Sequence, residues 1–476
     1  MGHLLPSLVS LMLAFANDVP VPWGGFRGPN GSGVSISGTL PPSLDLQESL
    51  AWKIAIDPGY SSPVLTEDCV FLTTHEGKKL FTVCFDRASG DVLWEVEAPQ
   101  ENDDPYPGPN SPVSPTPATD GDFVFVLFPC FGLVAYDLEG EEIWRHPLGP
   151  FNVPHVMASS PVVAGKALVL LCDQDTLSFL LALDKETGKQ LWKVERPGVT
   201  HGYSTPIVVQ PEEGPVEVIV VGSYQVCAYA LESGEKLWWV DGMAWQSNTV
   251  PVVAKGMLLV HSSVPPLTEF GGPQMTDTWE EALAARDTDQ DGKISKAEWS
   301  LPAMQLLWFL YDLDNDDLLA EDEWHQAEAR GRAEGGLFAI RLGGRGNVTE
   351  SHMVWSTTER RGMAGYASPI VYGDVLYMLK DGGILTAFDI ADGHVLKQGR
   401  IGRPDAYYAS PVAVDGKLIA ASQKGQLVIV QAGAEWESRS SHDLKEEIWA
   451  TPAIADGQLI VRTQQSLYCF RGAAEE

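Results

Sequence analysis

The chain has 476 residues, of which 44 % are hydrophobic and 20 % are charged, a composition typical of a globular protein. Its 64 acidic residues outnumber 32 basic ones and give a formal net charge of −32. This charge excludes functions that depend on binding nucleic acid or an anionic membrane surface, and it favours cations as ligands.

An apolar stretch lies close to the N-terminus. It covers residues 4–16, ends in Ala14-Phe15-Ala16 and is preceded by His3 rather than by Lys or Arg. A short apolar segment before a small-x-small site is typical of a signal peptide, and it is too short to cross a bilayer. We predict a signal peptide over 1–16, an N-terminal extension over 17–49 and a periplasmic or secreted protein without an integral membrane segment. No Cys directly follows Ala16, so we do not expect a bacterial lipid anchor.

The six cysteines do not form a C-x-x-C motif, which argues against zinc or thioredoxin-like chemistry. Cys69 and Cys84 lie on two apolar runs around Gly77, and a hairpin centred there would place them opposite each other. We leave two interpretations open: a Cys69–Cys84 disulfide in an oxidising compartment, or six small buried hydrophobes.

A small hydroxyl residue followed by proline recurs along the chain. The prolines stand 54, 44, 45, 45, 118, 42 and 41 positions apart, and removing about 73 residues brings the long interval into line with the repeat spacing. We call the residue before each proline the anchor, and Val replaces the hydroxyl in one of them. The eight anchors are Ser62, Thr116, Ser160, Thr205, Val250, Ser368, Ser410 and Thr451.

Each anchor is followed by short apolar strands separated by turns. The last strand of a unit follows a Gly turn and carries Trp, as in Gly188 with Trp192; Asp392-Gly393 keeps the turn but has Leu396 in the Trp position. Four short strands in 42 to 45 residues are typical of a β-propeller blade. We predict an all-β, eight-bladed propeller with blades 1–5 over 50–275, an insertion over 276–334 and blades 5–8 over 335–476.

The last unit lacks its Trp strand. Residues 50–56, which contain Trp52, precede the first anchor and supply a spare one. We predict that this strand completes the last blade, because closing the ring removes exposed sheet edges.

The units resemble the quinoprotein-type repeat, with its Asp-x-x-Thr-Gly-x-x-x-Trp ending, best preserved at Asp184, Thr187, Gly188 and Trp192. Residues 23–31 resemble the opening of exported quinoprotein-like propellers. The resemblance covers about residues 20–270 and 335–472. It implies a propeller fold and, in the dehydrogenases of that family, pyrroloquinoline quinone (PQQ) above the channel with a Ca²⁺, an Asp base, a stacking Trp and a disulfide of adjacent cysteines. This sequence has no adjacent Cys pair, so we do not expect PQQ, although a PQQ-dependent dehydrogenase stays an alternative.

The insertion contains a twelve-residue pattern that matches the EF-hand loop at every constrained position. Its oxygens would surround Ca²⁺, and Gly292 permits the sharp bend between them. The predicted ligands are Asp287, Asp289, Asp291, Lys293 through its carbonyl, Ser295 and Glu298.

A second loop repeats the pattern with two departures. Asp317 stands where Gly is usual, and Ala320 replaces the hydroxyl residue, so we expect the second site to be weaker. Ile294 and Leu319 should join the loops by a short β-bridge, with Trp299, Trp308, Phe309 and Trp324 as a small core. The predicted ligands are Asp312, Asp314, Asp316, Leu318 through its carbonyl, and Glu323.

Side chains just before the anchors should line the mouth of the channel. Aromatic ones could stack on a planar ligand or a sugar, or they could pack blade against blade. The candidates are Tyr60, His155, His201, Tyr203, Trp245, Asn248, Tyr366, Asp405, Tyr407 and Trp449.

The sequence therefore predicts an exported, calcium-binding propeller that acts as a binding scaffold. Its expected cofactor is Ca²⁺, and its expected partners are envelope or extracellular proteins, or glycans. A carbohydrate- or cell-surface-binding propeller is a further alternative.

Overall fold

The computed structural model describes residues 21–41, 43–100, 110–262, 277–299, 305, 307–333, 335–358 and 362–471. Within these residues the strands form eight radial sheets, seven with four strands and one with a fifth strand added, and a separate two-stranded pair. The predicted eight-bladed, all-β propeller is confirmed. The predicted signal peptide lies outside the described residues.

The four main strands of every blade are antiparallel and follow sequence order from the channel outward, except in blade 8, whose outermost strand is the N-terminal β1. The strands of blades 1 and 2 are β2 (Val64–Leu65), β3 (Cys69–Glu76), β4 (Lys79–Asp86), β5 (Val92–Glu97), β6 (Ala118–Thr119), β7 (Phe123–Phe128), β8 (Gly132–Asp137) and β9 (Glu142–Pro147). Those of blades 3 and 4 are β10 (Val162–Ala164), β11 (Ala167–Cys172), β12 (Phe179–Asp184), β13 (Gln190–Glu195), β14 (Ile207–Val209), β15 (Glu217–Val221), β16 (Gln225–Ala230) and β17 (Lys236–Asp241).

Blade 5 is interrupted by the insertion between its second and third strands. The strands of blades 5 and 6 are β18 (Val252–Ala254), β19 (Met257–Ser262), β22 (Gly336–Arg341), β24 (Met353–Thr357), β25 (Ile370–Tyr372), β26 (Val375–Lys380), β27 (Ile384–Asp389) and β28 (Val395–Arg400). Those of blades 7 and 8 are β29 (Val412–Val414), β30 (Lys417–Ala421), β31 (Gln426–Gln431), β32 (Glu437–Asp443), β33 (Ala453–Ala455), β34 (Gln458–Arg462), β35 (Ser466–Arg471) and β1 (Leu50–Ala55).

The remaining elements are short. Strand β23 (Gly346–Asn347) adds to the outer edge of blade 4 in parallel with β17. The two-stranded pair is β20 (Ile294–Ser295) with β21 (Leu318–Leu319). The helices are α1 (Trp279–Arg286), α2 (Glu321–Arg332) and α3 (Thr349–His352), with 3₁₀ turns at Pro29–Gly31 and Trp308–Leu310. Within the described residues, we find no helix of sufficient length and apolarity to traverse a bilayer.

The N-terminal strand closes the ring. Strand β1 pairs with β35, with Trp52 opposite Cys469 and Ile54 opposite Leu467. The first and last parts of the chain therefore share one sheet, and the predicted closure is confirmed.

The recurring hydroxyl–proline anchors form a hydrogen-bonded ring around the channel. The N–H of Ser62 donates to Thr116 Oγ1 at 3.0 Å, and the N–H of Thr451 donates to Ser62 Oγ at 3.1 Å. The same bond joins each anchor to the next except between Thr205 and Val250, because Val250 has no hydroxyl. We call these seven anchor side chains the hydroxyl ring.

A second interaction recurs at the outer strands. Trp52 of blade 8 donates its Nε1–H to the Arg87 carbonyl of blade 1, and its ring lies against Gly90. Gly90 has a φ of 82°, and a Cβ there would approach the Trp52 ring to 2.9 Å. The repeat therefore needs Gly for both its backbone conformation and its close approach to Trp. The other pairs are Trp94 with Gly140, Trp144 with Gly188, Trp192 with Gly234, and Trp355 with Gly393.

All six cysteines are buried thiols outside any disulfide bond. The predicted face-to-face placement of Cys69 and Cys84 is wrong, because Cys69 pairs with Asp86 and Cys84 with Phe71. The hairpin turns at Gly77 and Lys78, one position later than predicted. The two thiols are diagonal neighbours on one face of blade 1, and both belong to its apolar core.

The insertion has a small core of its own. Trp299, Trp308 and Trp324 are each no more than 3 % exposed, as predicted. Ile294 pairs with Leu319, so the predicted bridge is also present. The side chain of Phe309 and residues 300–304 lie outside the described part.

Candidate functional site

Four aromatic side chains from consecutive blades form a stack along one half of the channel mouth. Tyr60 of blade 1 and Trp449 of blade 8 are parallel, with ring centroids 4.7 Å apart. Tyr408 of blade 7 stacks on Trp449 at 4.5 Å, and Tyr366 of blade 6 lies 5.2 Å from Tyr408. Each stands two positions before its anchor, so the repeat itself brings them together. We call these four residues the aromatic stack.

The rings of the stack mainly cover one another. Tyr60 and Tyr408 must lie on opposite faces of Trp449, because two rings cannot share one face at these distances. A sugar or a planar ligand would therefore meet ring edges in the middle of the stack. Tyr366 is the most exposed member, at 49 %.

The placement of Tyr407 at the mouth is wrong. Its side chain is 1 % exposed and belongs to the core between blades 6 and 7. Its neighbour Tyr408 stands in the position that faces the mouth. The signal that identifies Tyr408 is its distance of two residues from the anchor Ser410.

A shallow depression of about 570 Å³ lies beside the aromatic stack, between blades 7 and 8. The predicted residue Asp405 belongs to it and accepts the N–H of Lys424 at 2.8 Å. Glu447 accepts the Nε1–H of Trp449 at 3.1 Å and so joins the depression to the stack. The other charged residues that line the depression are Arg403, Asp443, Lys445 and Glu446.

The other half of the mouth is centred on His201. Its Nδ1 lies 2.6 Å from Asp175 Oδ1, and both side chains are nearly buried. The rings of His201 and Trp245 are nearly perpendicular, with centroids 5.5 Å apart, and the Tyr203 ring lies 6.0 Å from His201. Asp175 was not among the predicted residues, since nothing in its local sequence marks it as a partner of His201.

Burial changes the ionisation of this half. It raises the pKa of Tyr203 well above its usual range, with the charge of Asp175 adding to the effect. Burial also lowers the pKa of His155, with a smaller electrostatic contribution from the nearby His201. Tyr203 Oη, Trp245 Nε1 and His155 Nδ1 have no hydrogen-bond partner among the described residues.

The predicted residue Asn248 is partly exposed and stands two positions before the anchor Val250.

The first acidic loop brings three carboxylates together. Asp287, Asp289 and Asp291 each place an oxygen within 4.8 Å of the others. Asp287 accepts the N–H groups of Gln290 and Gly292, at 2.7 and 3.0 Å. These bonds fold the loop around the three carboxylates, and Gly292 has the positive φ, 83°, that was expected.

Glu298 closes the first loop from its far end. Its carboxylate accepts the N–H groups of Ser295 and Thr288, at 2.9 and 2.7 Å. These bonds, with those from the two hydroxyls, lower the pKa of Glu298 to about 2. Glu298 is therefore ionised at neutral pH.

The second loop is more buried. Asp312, Asp314 and Glu323 each place an oxygen within 4.8 Å of the others, and Asp312 and Glu323 are only 3 % and 7 % exposed. Burial raises the pKa of Glu323 to about 7, although the N–H groups of Ala320 and Leu313 act against it. A cation would therefore relieve a larger electrostatic cost here than in the first loop.

The two loops contact each other beyond their β-bridge. Lys293 Nζ lies 2.8 Å from Asp316 Oδ2, which pairs a side chain of the first loop with one of the second. Asp316 also accepts the N–H of Leu318 at 2.8 Å, and Asp317 has a φ of 63°, as its position requires.

Comparison with known proteins identifies the family. A family model described as outer membrane protein assembly factor BamB matches residues 45–177, 81–216 and 178–475, which together span most of the chain. The chain belongs to the BamB family of PQQ-repeat propellers.

Relatives agree with this assignment. The outer membrane protein assembly factor BamB of Yersinia pestis is 24 % identical over 305 residues, which is 60 % of this chain and 67 % of that protein. The crystal structure of BamB from Moraxella catarrhalis superposes with a TM-score of 0.57 at 11 % identity, covering 90 % of this chain and 98 % of that one. A europium-containing methanol dehydrogenase gives 0.61 at 9 % identity, covering 95 % and 98 %. The two structural matches show a shared fold.

In this BamB-family propeller the insertion docks on the mouth. Asn152 of blade 3 donates to the Leu313 carbonyl at 3.0 Å, and Tyr224 of blade 4 donates to the Gln326 carbonyl at 3.3 Å. The guanidinium of Arg330 lies over the Trp245 ring at 5.0 Å. Helix α2 and the second acidic loop are thus attached to the half of the mouth that contains His201.

The mouth does not fit PQQ in the way that the dehydrogenase chemistry requires. The stacked Trp449 has a ring on each face, and the Arg330 guanidinium covers a face of Trp245. The two carboxylate clusters found among the described residues both lie in the insertion, not on the channel axis. We therefore derive no step through a quinone.

Proposed function

We propose that this protein is an exported BamB-family scaffold that binds Ca²⁺ in two EF-hand loops and uses the ion to fix the insertion on its channel mouth. The proposal depends mainly on the carboxylates of the two loops, which converge at the EF-hand ligand positions. Aspartate and glutamate oxygens are the ligands that Ca²⁺ prefers.

The first loop would hold the ion with Asp287, Asp289, Asp291 and Glu298, helped by the Lys293 carbonyl and Ser295. In the second loop, Asp312, Asp314, Asp316, the Leu318 carbonyl and Glu323 would do the same. Without a cation, neighbouring carboxylates repel one another: the charges of Asp316 and Asp312 add to burial in raising the pKa of Asp314. Ca²⁺ would remove this repulsion.

The ion would act on the propeller through Leu313. This residue is the second of the second loop; its N–H donates to Glu323 at 2.6 Å, and its carbonyl accepts from Asn152 of blade 3. A bound cation would hold Glu323 and therefore the backbone that blade 3 contacts. Calcium would in this way couple the order of the loop to the docking of α2.

Isothermal calorimetry with CaCl₂ and MgCl₂ tests the metal. We expect two calcium sites in the unmodified protein, loss of the first in Glu298→Gln and loss of the second in Glu323→Gln. Asp322→Asn is the matched control, because Asp322 lies in the first turn of α2 outside the ligand positions, and its replacement should leave both sites intact. Absence of heat at millimolar calcium, or two sites remaining in the double variant, contradicts the proposal.

The scaffold role rests on the family. The relative from Yersinia pestis is named an outer membrane protein assembly factor, and the predicted signal peptide would export this chain to the cell envelope. Photo-crosslinking tests the role, with the probe placed at exposed Tyr366 and a control probe at Glu437 on the outer strand β32. We expect Tyr366 to crosslink an outer membrane protein or a component of its assembly. Equal crosslinking from both positions would count against a specific surface at the mouth.

A further inference from the structure

Arg27 is a fully buried cation without an acidic partner among the described residues. Its side chain is 0 % exposed, and its Nη2 donates to the Pro369 carbonyl at 2.6 Å. Its Nε and Nη1 have no hydrogen-bond partner in the described part of the chain. Burial lowers the pKa of Arg27 to about 9, so the group is still charged at neutral pH.

Arg27 lies in the central channel because its segment crosses the channel floor. The carbonyl of Gly24 accepts the N–H of Thr119 in blade 2, at 2.8 Å, while Arg27 reaches Pro369 in blade 6. Blades 2 and 6 stand opposite each other in a ring of eight. The same segment pairs with Leu65 of blade 1 through Trp23. Residues 23–35 therefore close one end of the channel.

The guanidinium is next to the hydroxyl ring. Pro369, whose carbonyl Arg27 contacts, directly follows the anchor Ser368. In the same segment, the carbonyl of Gly33 accepts the N–H of Ala413 at 2.8 Å, and Ala413 lies two residues beyond Pro411 in blade 7. Residues 23–35 therefore contact the innermost strands just after the anchors, starting with the residue that directly follows Ser368.

The hydroxyl protons of the hydroxyl ring are available as hydrogen-bond donors. In each of its seven bonds the hydroxyl oxygen is the acceptor of a backbone N–H, and none of the seven hydroxyls donates a hydrogen bond to a described residue. A ligand that only accepts hydrogen bonds would match the free N–H groups of Arg27 and the hydroxyl protons within its reach. The ring residues are Ser62, Thr116, Ser160, Thr205, Ser368, Ser410 and Thr451.

We propose that the central channel binds a small inorganic anion, a halide or phosphate, on Arg27 beneath the hydroxyl ring. An unpaired buried charge is costly, and an anion would offset that cost by charge and by charge-assisted hydrogen bonds. The site is independent of the proposed calcium loops, which lie in the insertion.

The anion is a better occupant than water alone for an electrostatic reason. Water would satisfy the donors but leave the buried guanidinium without a counter-charge. The net charge of −32 also disfavours adsorption of anions elsewhere on the surface. Saturable stabilisation of the protein by an anion would therefore indicate a specific binding site.

Crystallography with bromide locates the site. Crystals of the unmodified protein grown or soaked in NaBr should give an anomalous peak beside the Arg27 guanidinium, and Arg27→Met crystals should lack it. Absence of a bromide peak in the unmodified protein, with ordered water at Arg27, would overturn the proposal.

Thermal unfolding in solution tests whether binding is specific. Phosphate and chloride are titrated separately at constant ionic strength, with sodium gluconate as the balancing salt and calcium held fixed. We expect saturable stabilisation by at least one of the two anions, since a ligand at 100 times its Kd lowers the unfolding constant about 100-fold. A bromide peak without any saturable response would mean binding at crystal concentration only, and would count against the proposal.

Two variants separate the site from general effects of buried arginines. Arg462 is the matched control: it is 1 % exposed and lacks partners at Nε and Nη2 among the described residues, but its Nη1 donates to Ser61 between blades 8 and 1. Arg462→Met should lose stability and keep the anion response, whereas Arg27→Met should lose the response. Arg27→Lys keeps the charge and should retain a weaker response, which serves if Arg27→Met does not fold. An unchanged response in Arg27→Met or in Arg27→Lys places the anion elsewhere and refutes the assignment.

Discussion

The guanidinium of Arg330 lies 5.0 Å from the centre of the Trp245 ring, and this contact joins the acidic insertion to the channel mouth. Arg330 is 3 % exposed, and its Nη1 donates to the Leu310 carbonyl. Trp245 also faces His201 edge to face. A residue of the insertion therefore contacts the same aromatic group that borders the His201–Asp175 pair.

Arg330→Met should loosen the docked helix α2. The contact between a buried guanidinium and an indole ring is worth about 1–2 kcal/mol, which corresponds to roughly 5–30-fold faster hydrogen exchange of the α2 amides. Lys397→Met is the control, because Lys397 lies over Trp436 at 5.1 Å on the outer part of the propeller. Equal exchange of α2 in both variants would show that Arg330 does not hold the insertion.

The hydrogen bonds of the hydroxyl ring should contribute to the free energy of unfolding. Thr451→Val keeps the shape of the side chain but removes the acceptor of the Ser410 N–H, which it binds at 3.0 Å. An unpaired buried N–H costs about 1–3 kcal/mol, so the free energy of unfolding should fall by that amount in urea titrations. Thr451→Ser keeps the hydroxyl and is expected to lose less. Equal stability of the Val and Ser variants would mean that the hydrogen bonds of the hydroxyl ring do not stabilise the fold.

The Gly–Trp contact predicts a difference between two glycines. Gly77 has a φ of 60° and nothing within 4 Å of an added Cβ, so Gly77→Ala should cost about 1–2 kcal/mol from backbone strain. Gly90→Ala adds a clash with the Trp52 ring, which should raise the total to roughly 2–5 kcal/mol. Urea unfolding measures both. Similar losses would mean that the Trp52 ring moves aside freely, and that the closure of blade 8 on blade 1 tolerates it.

Much of the fold could be predicted because the repeat is local. The anchors recur at nearly fixed spacing, and in several units a Gly turn precedes the outer strand that carries Trp, as Gly188 precedes Trp192. The outer strand of blade 5 was not predicted, because the insertion separates its Trp355, which packs on Gly393, from the anchor Val250 of the same blade. The register of Cys69 and Cys84 was missed because a turn shifted by one position changes every pair.

The site was less predictable because it depends on contacts between blades. Tyr407 and Tyr408 are adjacent and identical in type, and only the anchor distance shows which one faces the mouth. Asp175 meets His201 across 26 positions of sequence, and Arg330 meets Trp245 only because the insertion docks there. Arg27 lies in a motif recognised by resemblance, but its burial follows from contacts with blades on opposite sides of the ring.

His261 makes the propeller sensitive to acid. It lies in β19 of blade 5, it is 1 % exposed, and neither ring nitrogen has a hydrogen-bond partner among the described residues. Burial lowers the pKa of His261 from 6.5 to about 4. The unfolded chain therefore takes up a proton at a higher pH than the folded protein does, and folding is disfavoured as the pH falls.

The sign and window of this effect follow from the two pKa values. The stabilisation from a neutral His261 is complete above pH 6.5 and is lost as the pH falls toward 4, with about 2 kcal/mol lost by pH 5. His261→Leu has no proton to take up and fills the apolar site, so its unfolding free energy should fall about 2 kcal/mol less between pH 7.5 and 5 than that of the unmodified protein. Urea titrations at the two pH values measure this difference, with His394→Leu as a control at an exposed histidine. Parallel pH dependence of the unmodified protein and His261→Leu would mean that the buried imidazole is not the group responsible, since every other carboxylate and histidine is common to both.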